Sequence, residues 1–488
     1  MAFVAFLAAI LSGWLLARLT GAARGMRPRW AAVVLEAALG AGAGAGFFSF
    51  LYFGLLLTGA ASPVMVLLVD AVVLLLLAFL VRWRRARTAT AGAAGGDPNP
   101  PYRWTWLLVL VSGACLFPVL LAFVEVVQAN PHGDWDAWAI WNLRAKYLAG
   151  PGETWRYAFS PLLTLTHPDY PLLTSGFIAH AWKAGGGQPT TTIPIATALL
   201  FSVSALALLV ASLALLRGAS LGLLAGLVVL ANTSFLTHCV SQYADVPLAF
   251  YYLATLVAVF LGATVGSQRG WALALAGFFA SLAAWTKDEG ILFAAVVLGC
   301  YVVVEWWAGG WKSLLRGFPW LVGGALPGLL AVAGFKLFLA PAANPMLTQG
   351  ATDASARVLT TQRWVTLIQA IFGEAADLGR GLLHPLVILA IIVFALGFRF
   401  VPRHRRPVLF GALTLATVFA GYCAVCVLNP TLLATRRNTP FGRMYSQLWP
   451  SFVFLAFMVL RTLEEMALPA VQAVDDTPAR KRKRKRSH

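Results

Sequence analysis

The chain has 488 residues, of which 59% are hydrophobic and only 11% are charged, and its mean hydropathy is +0.76. This composition excludes a soluble domain with a polar surface. The formal net charge of +18 does not indicate nucleic-acid binding, because the basic residues lie mostly in short clusters between apolar runs, as the topology signals of membrane proteins do. We therefore predict no nucleic-acid partner.

Apolar runs of about 20 residues recur along most of the chain, and each can cross a hydrocarbon core of about 30 Å as a helix. They lack the alternation with a period of two that a membrane β-barrel strand shows. The first run has no basic n-region or convincing cleavage site, so we interpret it as a helix rather than a signal peptide. We predict an all-α, polytopic membrane protein of about thirteen spans. They lie near residues 2–19, 30–58, 63–81, 104–127, 193–216, 220–237, 246–265, 271–286, 290–307, 318–340, 381–400, 407–428 and 445–463.

Basic clusters between these spans indicate the orientation of the chain. If alternate loops share a side, the clusters all fall on one face, which the positive-inside rule makes cytoplasmic. They are Arg24, Arg27 and Arg29; Arg82, Arg84, Arg85 and Arg87; Arg217; Arg269; Lys312 and Arg316; Arg399, Arg403, Arg405 and Arg406; and the tail at 481–486. The amino terminus is then outside, the carboxyl terminus inside, and the loops near 128–192 and 341–380 external.

The sequence also suggests a division of the chain. Residues 88–103 are rich in Ala, Gly and Pro, and we interpret them as a flexible cytoplasmic linker between three leading helices, 1–87, and the rest. The basic tail, 464–488, is expected to lie against anionic lipid rather than act as a nuclear signal. Asp70 and Glu36 fall inside predicted spans, where a role in transport and a structural ion pair are both open.

Carboxylates lie among aromatic residues in the first long external loop. Asp134 and Asp136 follow the fourth span in the segment NPHGDWDAWAIW, where an ordinary polar collar is the alternative to a functional acid. Further along, HPDYPLL sets His167 and Asp169 between two prolines, which restrict the backbone and hold these polar groups in place.

Other polar residues lie at predicted external helix ends. Asp245 starts an apolar helix, where an acid also suits the helix dipole. The turn WTKDEG carries Lys287 and Glu289, and Arg443 precedes the last span, with Arg436 and Arg437 upstream. Cations in short external loops oppose the positive-inside rule, and a bound phosphate would favour them. For Lys287 the alternative is an internal pair with Asp288 or Glu289.

Taken together, the segments WDAWAIWNLRAK, YADVPLAFYYLA, WTKDEG and FGRMYSQLWP resemble those of the GT-C superfamily. These polytopic glycosyltransferases use polyprenyl-phosphate-linked sugars and include lipid A aminoarabinose transferases and protein O-mannosyltransferases. The resemblance covers about residues 104–461 and leaves the first three spans as an addition. Two departures stand out: Asp288 and Glu289 separate Lys287 from the glycine of the family's Thr-Lys-Gly turn, and His167 replaces a lysine that relatives often carry.

The resemblance implies a GT-C-like catalytic domain over 104–463, with short juxtamembrane helices in its external loops. It implies inverting transfer of a sugar from a polyprenyl-phosphate donor to a hydroxyl of a glycan, lipid or protein, on the periplasmic face of a bacterial inner membrane. Asp136 would be the general base, with Asp134 as the alternate. The residues expected to bind donor phosphate or substrate are Lys287, Arg443, His167, Asp169, Asp245 and Glu289. The loop acids leave a divalent metal open, although no ligand spacing demands one.

Two other functions compete with this interpretation. Many helices and acids inside spans also describe secondary transporters, although the two halves show no convincing repeat and the polar candidates gather at one face. A protein that binds or flips a polyprenyl lipid without transferring sugar is the second, and the pair of acids argues against it.

Overall fold

The computed structural model describes residues 1–21, 23–88, 104–163, 166–264, 269–341, 354–379, 383–429 and 440–467. These segments are helical and contain no β-strand, apart from an isolated bridge between Phe398 and Leu460. The helices are α1 (Ala2–Thr20), α2 (Arg29–Leu57), α3 (Pro63–Thr88), α4 (Thr105–Ala129), α5 (Asn142–Ala149), α6 (Leu173–Ala184), α7 (Thr192–Leu216), α8 (Ala219–Leu230), α9 (Thr233–Val240), α10 (Asp245–Thr264), α11 (Arg269–Thr286), α12 (Asp288–Phe338), α13 (Ala354–Leu359), α14 (Thr361–Ala376), α15 (Pro385–Leu396), α16 (Arg405–Leu428), α17 (Phe441–Met458) and α18 (Leu463–Ala467).

Eight of the described helices are long and apolar enough to cross a membrane, and nine if the bent pair α8–α9 counts as one span. They are α1, α2, α3, α4, α7, α10, α12 and α16. The prediction of an all-α, multi-pass membrane protein is therefore confirmed. Spans predicted near 271–286, 381–400 and 445–463 coincide with α11, α15 and α17, which fall outside these eight, so the number thirteen stays a prediction.

Two predicted spans have a different shape from a single straight helix. The span near 220–237 is broken into α8 and α9, which meet at 77°, because the side chain of Asn232 caps α9 by accepting a hydrogen bond from the Phe235 amide at 3.0 Å. The 51-residue α12 contains Gly310 at φ 66° and ψ −173°, a non-helical conformation that glycine adopts without strain. This break lies between the spans predicted near 290–307 and 318–340.

The centre of the bundle is α10, which packs against α2, α7, α11 and α17. Its residues 245–262 are all buried, including aromatic residues that find polar partners: the Tyr251 hydroxyl donates to the Gly42 carbonyl at 2.9 Å. Glycines let α2 approach closely, since a Cβ at Gly42 would lie 2.0 Å from the ring of Phe250. A Cβ at Gly40 would meet the backbone of α1 at 2.5 Å, so the glycine series in α2 serves close helix packing.

The three leading helices contact the segment that follows α4. The Tyr52 hydroxyl of α2 donates to the Leu148 carbonyl at 2.7 Å, and Ser49 donates to the Leu172 carbonyl at 3.2 Å. Asp70 of α3 pairs with His180 of α6, with 2.8 Å between Oδ1 and Nε2, and both side chains are buried. Asp70 thus has a buried partner, which both alternatives, a role in transport and a structural pair, allow. Glu36 likewise pairs with Arg18 at 3.3 Å.

The two ends of the bundle differ in chemistry. Asp136 and the starts of α10, α12 and α17 meet at one end, which we call the site end. At the other end Arg269 pairs with Glu305 at 2.9 Å and Arg399 with Glu465 at 3.1 Å. Which of the two ends faces the cytoplasm stays a prediction. The linker at 89–103 and the tail at 468–488 lie outside the described residues.

Candidate functional site

A chain of ion pairs connects five side chains at the site end, which we call the charged cluster: Asp136, Arg443, Asp245, Lys287 and Glu289. The Nη2 atom of Arg443 lies 2.7 Å from Asp136 Oδ2 and 2.8 Å from Asp245 Oδ2. The Nζ atom of Lys287 lies 3.1 Å from Asp245 Oδ1 and 2.9 Å from Glu289 Oε1. Residues from four separate predicted segments are therefore in mutual contact, as a common site requires.

Asp136 is positioned by a turn that connects α4 to a π-helical segment, Ala137–Trp141. Gly133 in this turn has φ 73°, and a Cβ there would lie 2.7 Å from the Ser241 carbonyl. The Ser241 hydroxyl donates to Asp134 at 2.6 Å, and the Asn130 amide donates to the other Asp134 oxygen at 3.3 Å. Asp134 thus fastens the turn to the chain before α10, while Asp136 reaches Arg443.

Asp245 is the first residue of α10 and its side chain is fully buried. Besides the two cations, it accepts a hydrogen bond from Gln447 Nε2 at 2.6 Å. The other end of that amide accepts from the Tyr422 hydroxyl at 2.7 Å, which lies 2.9 Å from the Tyr252 hydroxyl. This polar network fixes the orientation of Asp245 from inside the bundle.

Lys287 occupies the short connection between α11 and α12. A Cβ at Gly290 would lie 1.8 Å from the Ala283 carbonyl oxygen, so only glycine permits this tight approach of the two helices. Burial opposes the charge of Lys287, but the carboxylates of Asp245 and Glu289 outweigh it and raise the pKa of the ammonium group. Lys287 therefore stays charged and, at 3% side-chain exposure, is enclosed by its partners.

The loop carrying His167 and Asp169 lies beside the charged cluster. The ring of His167 stacks on Tyr170 at 4.5 Å between centroids, and Lys287 Nζ lies 6.0 Å from the centroid of the same tyrosine. Burial lowers the pKa of His167, which Asp169 and Asp136 partly oppose. The backbone carbonyl of Asp169 accepts from Lys336 Nζ at 2.7 Å. The charge of His167 thus interacts with that of Asp136 in the charged cluster. Asp169 is instead connected to the cluster indirectly, through the residues beside it.

Several residues that support the site were not predicted. Arg144 is fully buried and donates a hydrogen bond to the Tyr170 carbonyl at 2.6 Å, which fixes the loop that carries His167 and Asp169. Burial lowers the pKa of Arg144 to about 10. Lys336 pairs with Asp288 at 2.6 Å. Gln447 lies one helical turn after Arg443, a spacing that could have identified it. In the predicted topology Arg144 lies in an external loop and opposes the positive-inside rule, the same signal that points to Arg443.

Most of the charges at this site are paired with one another. Four carboxylates, those of Asp136, Asp245, Asp288 and Glu289, pair with three cations, Lys287, Lys336 and Arg443. The internal pair with Glu289, left open for Lys287, is present; Asp288 has a different partner. Because cations stand between the carboxylates, they do not fit a divalent metal, and no group of three or more His, Cys, Asp or Glu among the described residues could hold one.

Two apolar grooves run along the helices between the two ends of the bundle. The first, about 970 Å³, lies between α2, α11 and the second half of α12, from Trp320 to Phe338. The second, about 640 Å³, lies between α14, α15, α16 and α17, from Val459 to Tyr445. Each is lined almost wholly by apolar side chains, as a lipid tail would require.

Searches of known protein families, curated protein sequences and solved structures found no match to this chain. Arg436 and Arg437 lie outside the described residues. The function is therefore argued from the contacts of the charged cluster.

Proposed function

We propose that this protein is an inverting glycosyltransferase that moves a sugar from a polyprenyl-phosphate donor to a hydroxyl acceptor at the outer face of a bacterial inner membrane. The observation that carries the proposal is the position of Arg443, which contacts both Asp136 and the buried Asp245. An acid suited to act as a base and a cation suited to bind phosphate are thereby within one hydrogen bond of each other. This combination is what the reaction needs.

The reaction is a single displacement. The acceptor oxygen attacks the anomeric carbon while the bond from that carbon to the phosphate oxygen breaks, and the polyprenyl phosphate leaves with the electron pair. Asp136 takes the proton of the acceptor hydroxyl as general base. Arg443 stabilises the negative charge that grows on the leaving phosphate. Attack opposite to the leaving group inverts the anomeric carbon.

Binding of the donor must first change the contacts of Arg443. In the structure its guanidinium group pairs with two carboxylates, so the Asp136 oxygen that contacts Arg443 is not free to take a proton from an acceptor hydroxyl. A donor phosphate that takes over the contact with Arg443 would release Asp136 to accept a proton. Arg443 can make this exchange because its side chain is 31% exposed, unlike that of Lys287.

The two other acids are less suited to be the base. Asp245 is fully buried and engaged by two cations and Gln447, so its role is to orient Arg443 and Lys287. Asp134 accepts hydrogen bonds from Asn130 in its own turn and from Ser241 in the segment before α10. We assign it the structural role of fastening the turn that carries Asp136.

We assign the lipid tail of the donor to the second groove, because α17 carries both Arg443 and the groove residue Tyr445 near its first turn. Filling that groove by Ala416→Trp should prevent donor binding. The matched change Ala331→Trp fills the first groove and should leave donor binding intact. If Ala331→Trp prevented donor binding and Ala416→Trp did not, the lipid tail would be assigned to the first groove instead.

The decisive experiment measures transfer and binding with purified protein in lipid nanodiscs. Polyprenyl-phosphate donors carrying labelled pentoses, hexoses or aminosugars are tested for release of polyprenyl phosphate. Asp136→Asn should abolish release, whereas Asp134→Asn should retain it. Arg443→Gln should weaken binding of polyprenyl phosphate by about tenfold or more. Asp136→Asn should instead tighten it, because the competitor for Arg443 is removed. Retained turnover in Asp136→Asn would exclude Asp136 as the base.

A secondary transporter is the second candidate, and the buried Asp70–His180 pair favours it, since titratable pairs inside a bundle are typical of proton relays. Transport would require substrate accumulation in sealed proteoliposomes that depends on a proton gradient and is lost in Asp70→Asn. Transfer of label to a hydroxyl acceptor without any gradient would exclude transport as the explanation of activity.

A further inference from the structure

Tyr243 lies beside the two groups of the charged cluster that the proposed reaction uses, Asp136 and Arg443. The guanidinium carbon of Arg443 lies over the Tyr243 ring, 5.0 Å from its centroid. The tyrosine side chain is half-buried, and burial raises its pKa, which the carboxylate of Asp136 raises further. The tyrosine hydroxyl is therefore uncharged and near the proposed base, while the ring faces the arginine.

The backbone just before Tyr243 is held in a rare conformation. Gln242 has φ 59°, in the left-handed region that a residue with a side chain seldom adopts. Its buried side-chain amide donates to the Pro131 carbonyl at 3.1 Å and accepts from Asn142 Nδ2 at 3.3 Å. Such conformations persist where the surrounding structure fixes them, and they cluster at functional sites. These contacts set the direction in which the Tyr243 side chain leaves the backbone.

The contact between Arg443 and Asp245 does not by itself orient the guanidinium group. The Nε and Nη2 atoms of Arg443 both donate to the same oxygen, Asp245 Oδ2, at 3.2 and 2.8 Å. An oxygen of this kind accepts hydrogen bonds over a broad range of directions, so the group can swing about it once the contact with Asp136 is broken. The Tyr243 ring limits that swing, because a cation is attracted to the face of an aromatic ring.

We propose that Tyr243 is a positioning residue, whose ring holds Arg443 in place while a donor phosphate replaces Asp136 as the partner of the arginine. This inference rests on the proposed function, since it requires that Arg443 binds the phosphate. The ring attracts the guanidinium group both before and after the exchange, whereas the contact with Asp136 is lost. Removing the ring should therefore weaken phosphate binding through Arg443, and removing only the hydroxyl should not.

The test measures binding of polyprenyl phosphate to the full-length protein in lipid nanodiscs, with circular dichroism to check the folding of each variant. Tyr243→Leu should weaken binding by about fivefold, the order of one cation–π contact at a partly exposed site. Tyr243→Phe keeps the ring and should bind as the unchanged protein does. Tyr157→Leu is the matched control, because that tyrosine is 63% exposed and is not part of the charged cluster. It should leave binding unchanged.

Combining Tyr243→Leu with Arg443→Gln separates a positioning role from a structural one. If the ring acts through Arg443, Tyr243→Leu should have no further effect once the arginine is replaced. An equal loss in both backgrounds would mean that Tyr243 only supports the fold. Equal losses in Tyr243→Leu and Tyr243→Phe would assign the effect to the hydroxyl, and unchanged binding in Tyr243→Leu would exclude the ring. These results overturn the inference and leave the proposed function intact, whereas unchanged binding in Arg443→Gln would remove the phosphate contact on which both rest.

Discussion

Removing the charge of Asp245 should destabilise the protein more than removing that of Lys287. Asp245 has no exposed side-chain surface, and its two carboxylate oxygens accept hydrogen bonds from Lys287, Arg443 and Gln447. In Asp245→Asn both cations lose their shared buried partner, and the new amide places its own donor against them. Lys287 keeps Glu289 and Arg443 keeps Asp136, but the change breaks two buried charge pairs at once, so we expect the free energy of unfolding to fall by about 3 kcal/mol.

Lys287→Met should cost less, about 1 to 2 kcal/mol, because Asp245 then keeps Arg443 and Gln447. Glu289, whose side chain is 24% exposed, can turn its freed carboxylate toward water. The double variant Asp245→Asn/Lys287→Met removes both members of the pair and should be less destabilised than the sum of the single variants. The ordering of the three losses, rather than any single value, tests the arrangement of charges.

The assay is equilibrium unfolding in mixed micelles of a mild detergent and sodium dodecyl sulfate, followed by tryptophan fluorescence and by circular dichroism. Glu153→Gln serves as a control, because this acid is exposed and pairs only with its neighbour Arg156 on the surface. It should change the free energy of unfolding by less than about 0.5 kcal/mol. If Lys287→Met costs as much as Asp245→Asn, or if their effects add, Asp245 is not the centre of the cluster.

Three further expectations follow from other contacts. Burial lowers the pKa of His167 below its ordinary value of 6.5. As the pH falls through 6.5 the unfolded chain therefore binds more protons than the folded chain, and the free energy of unfolding decreases. In acid titrations His167→Asn, a residue that tolerates the positive φ at this position, should lose this part of the pH dependence. His180→Leu should cost about 3 kcal/mol by leaving Asp70 buried and unpaired, and adding Asp70→Leu should restore stability in the same unfolding assay. Gly290→Ala should lower the unfolding temperature sharply because of its backbone clash, whereas Gly299→Ala, with open space on the same helix, should not.

The sequence predicts the positions of the helices well, because a membrane span must be an uninterrupted apolar run and such runs are visible in one dimension. It does not predict their shape. The break between α8 and α9 depends on Asn232, whose cap is a local contact inside an otherwise apolar segment. The conformation of Gly310 is likewise invisible in a sequence where glycine is common in spans.

For the candidate site, the sequence predicts which residues are unusual but not which of them are partners. Lys287 and Arg443 oppose the positive-inside rule, and this signal identifies them without a structure. Their shared partner, Asp245, is 42 residues from one and 198 from the other, so only the packing of α10 against α11 and α17 brings them together. Gln447 and Tyr422 carry no charge, so the positive-inside rule does not apply to them and the sequence does not single them out.

The contacts of the three leading helices could not be predicted from the sequence either. Predicted as an addition to a catalytic domain, they contact the segment that carries the site: Ser49 receives a hydrogen bond from Trp285 at 3.0 Å and donates to the Leu172 carbonyl. One hydroxyl therefore joins α2, the end of α11 and the start of α6. The end of α11 directly precedes Lys287, so α2 contacts the helix that leads into the charged cluster.

Arg443 connects these observations to the proposed reaction. A base near a phosphate must be held in place before the donor arrives and yet be free when the acceptor arrives. The ion pair between Asp136 and Arg443 meets the first condition. The second is met only if something else takes Arg443, and Asp245 cannot, because it is already bound to the same guanidinium group. In the proposed reaction the donor phosphate would take over Arg443, so we expect the donor to bind before the acceptor, because one arginine pairs with both acids.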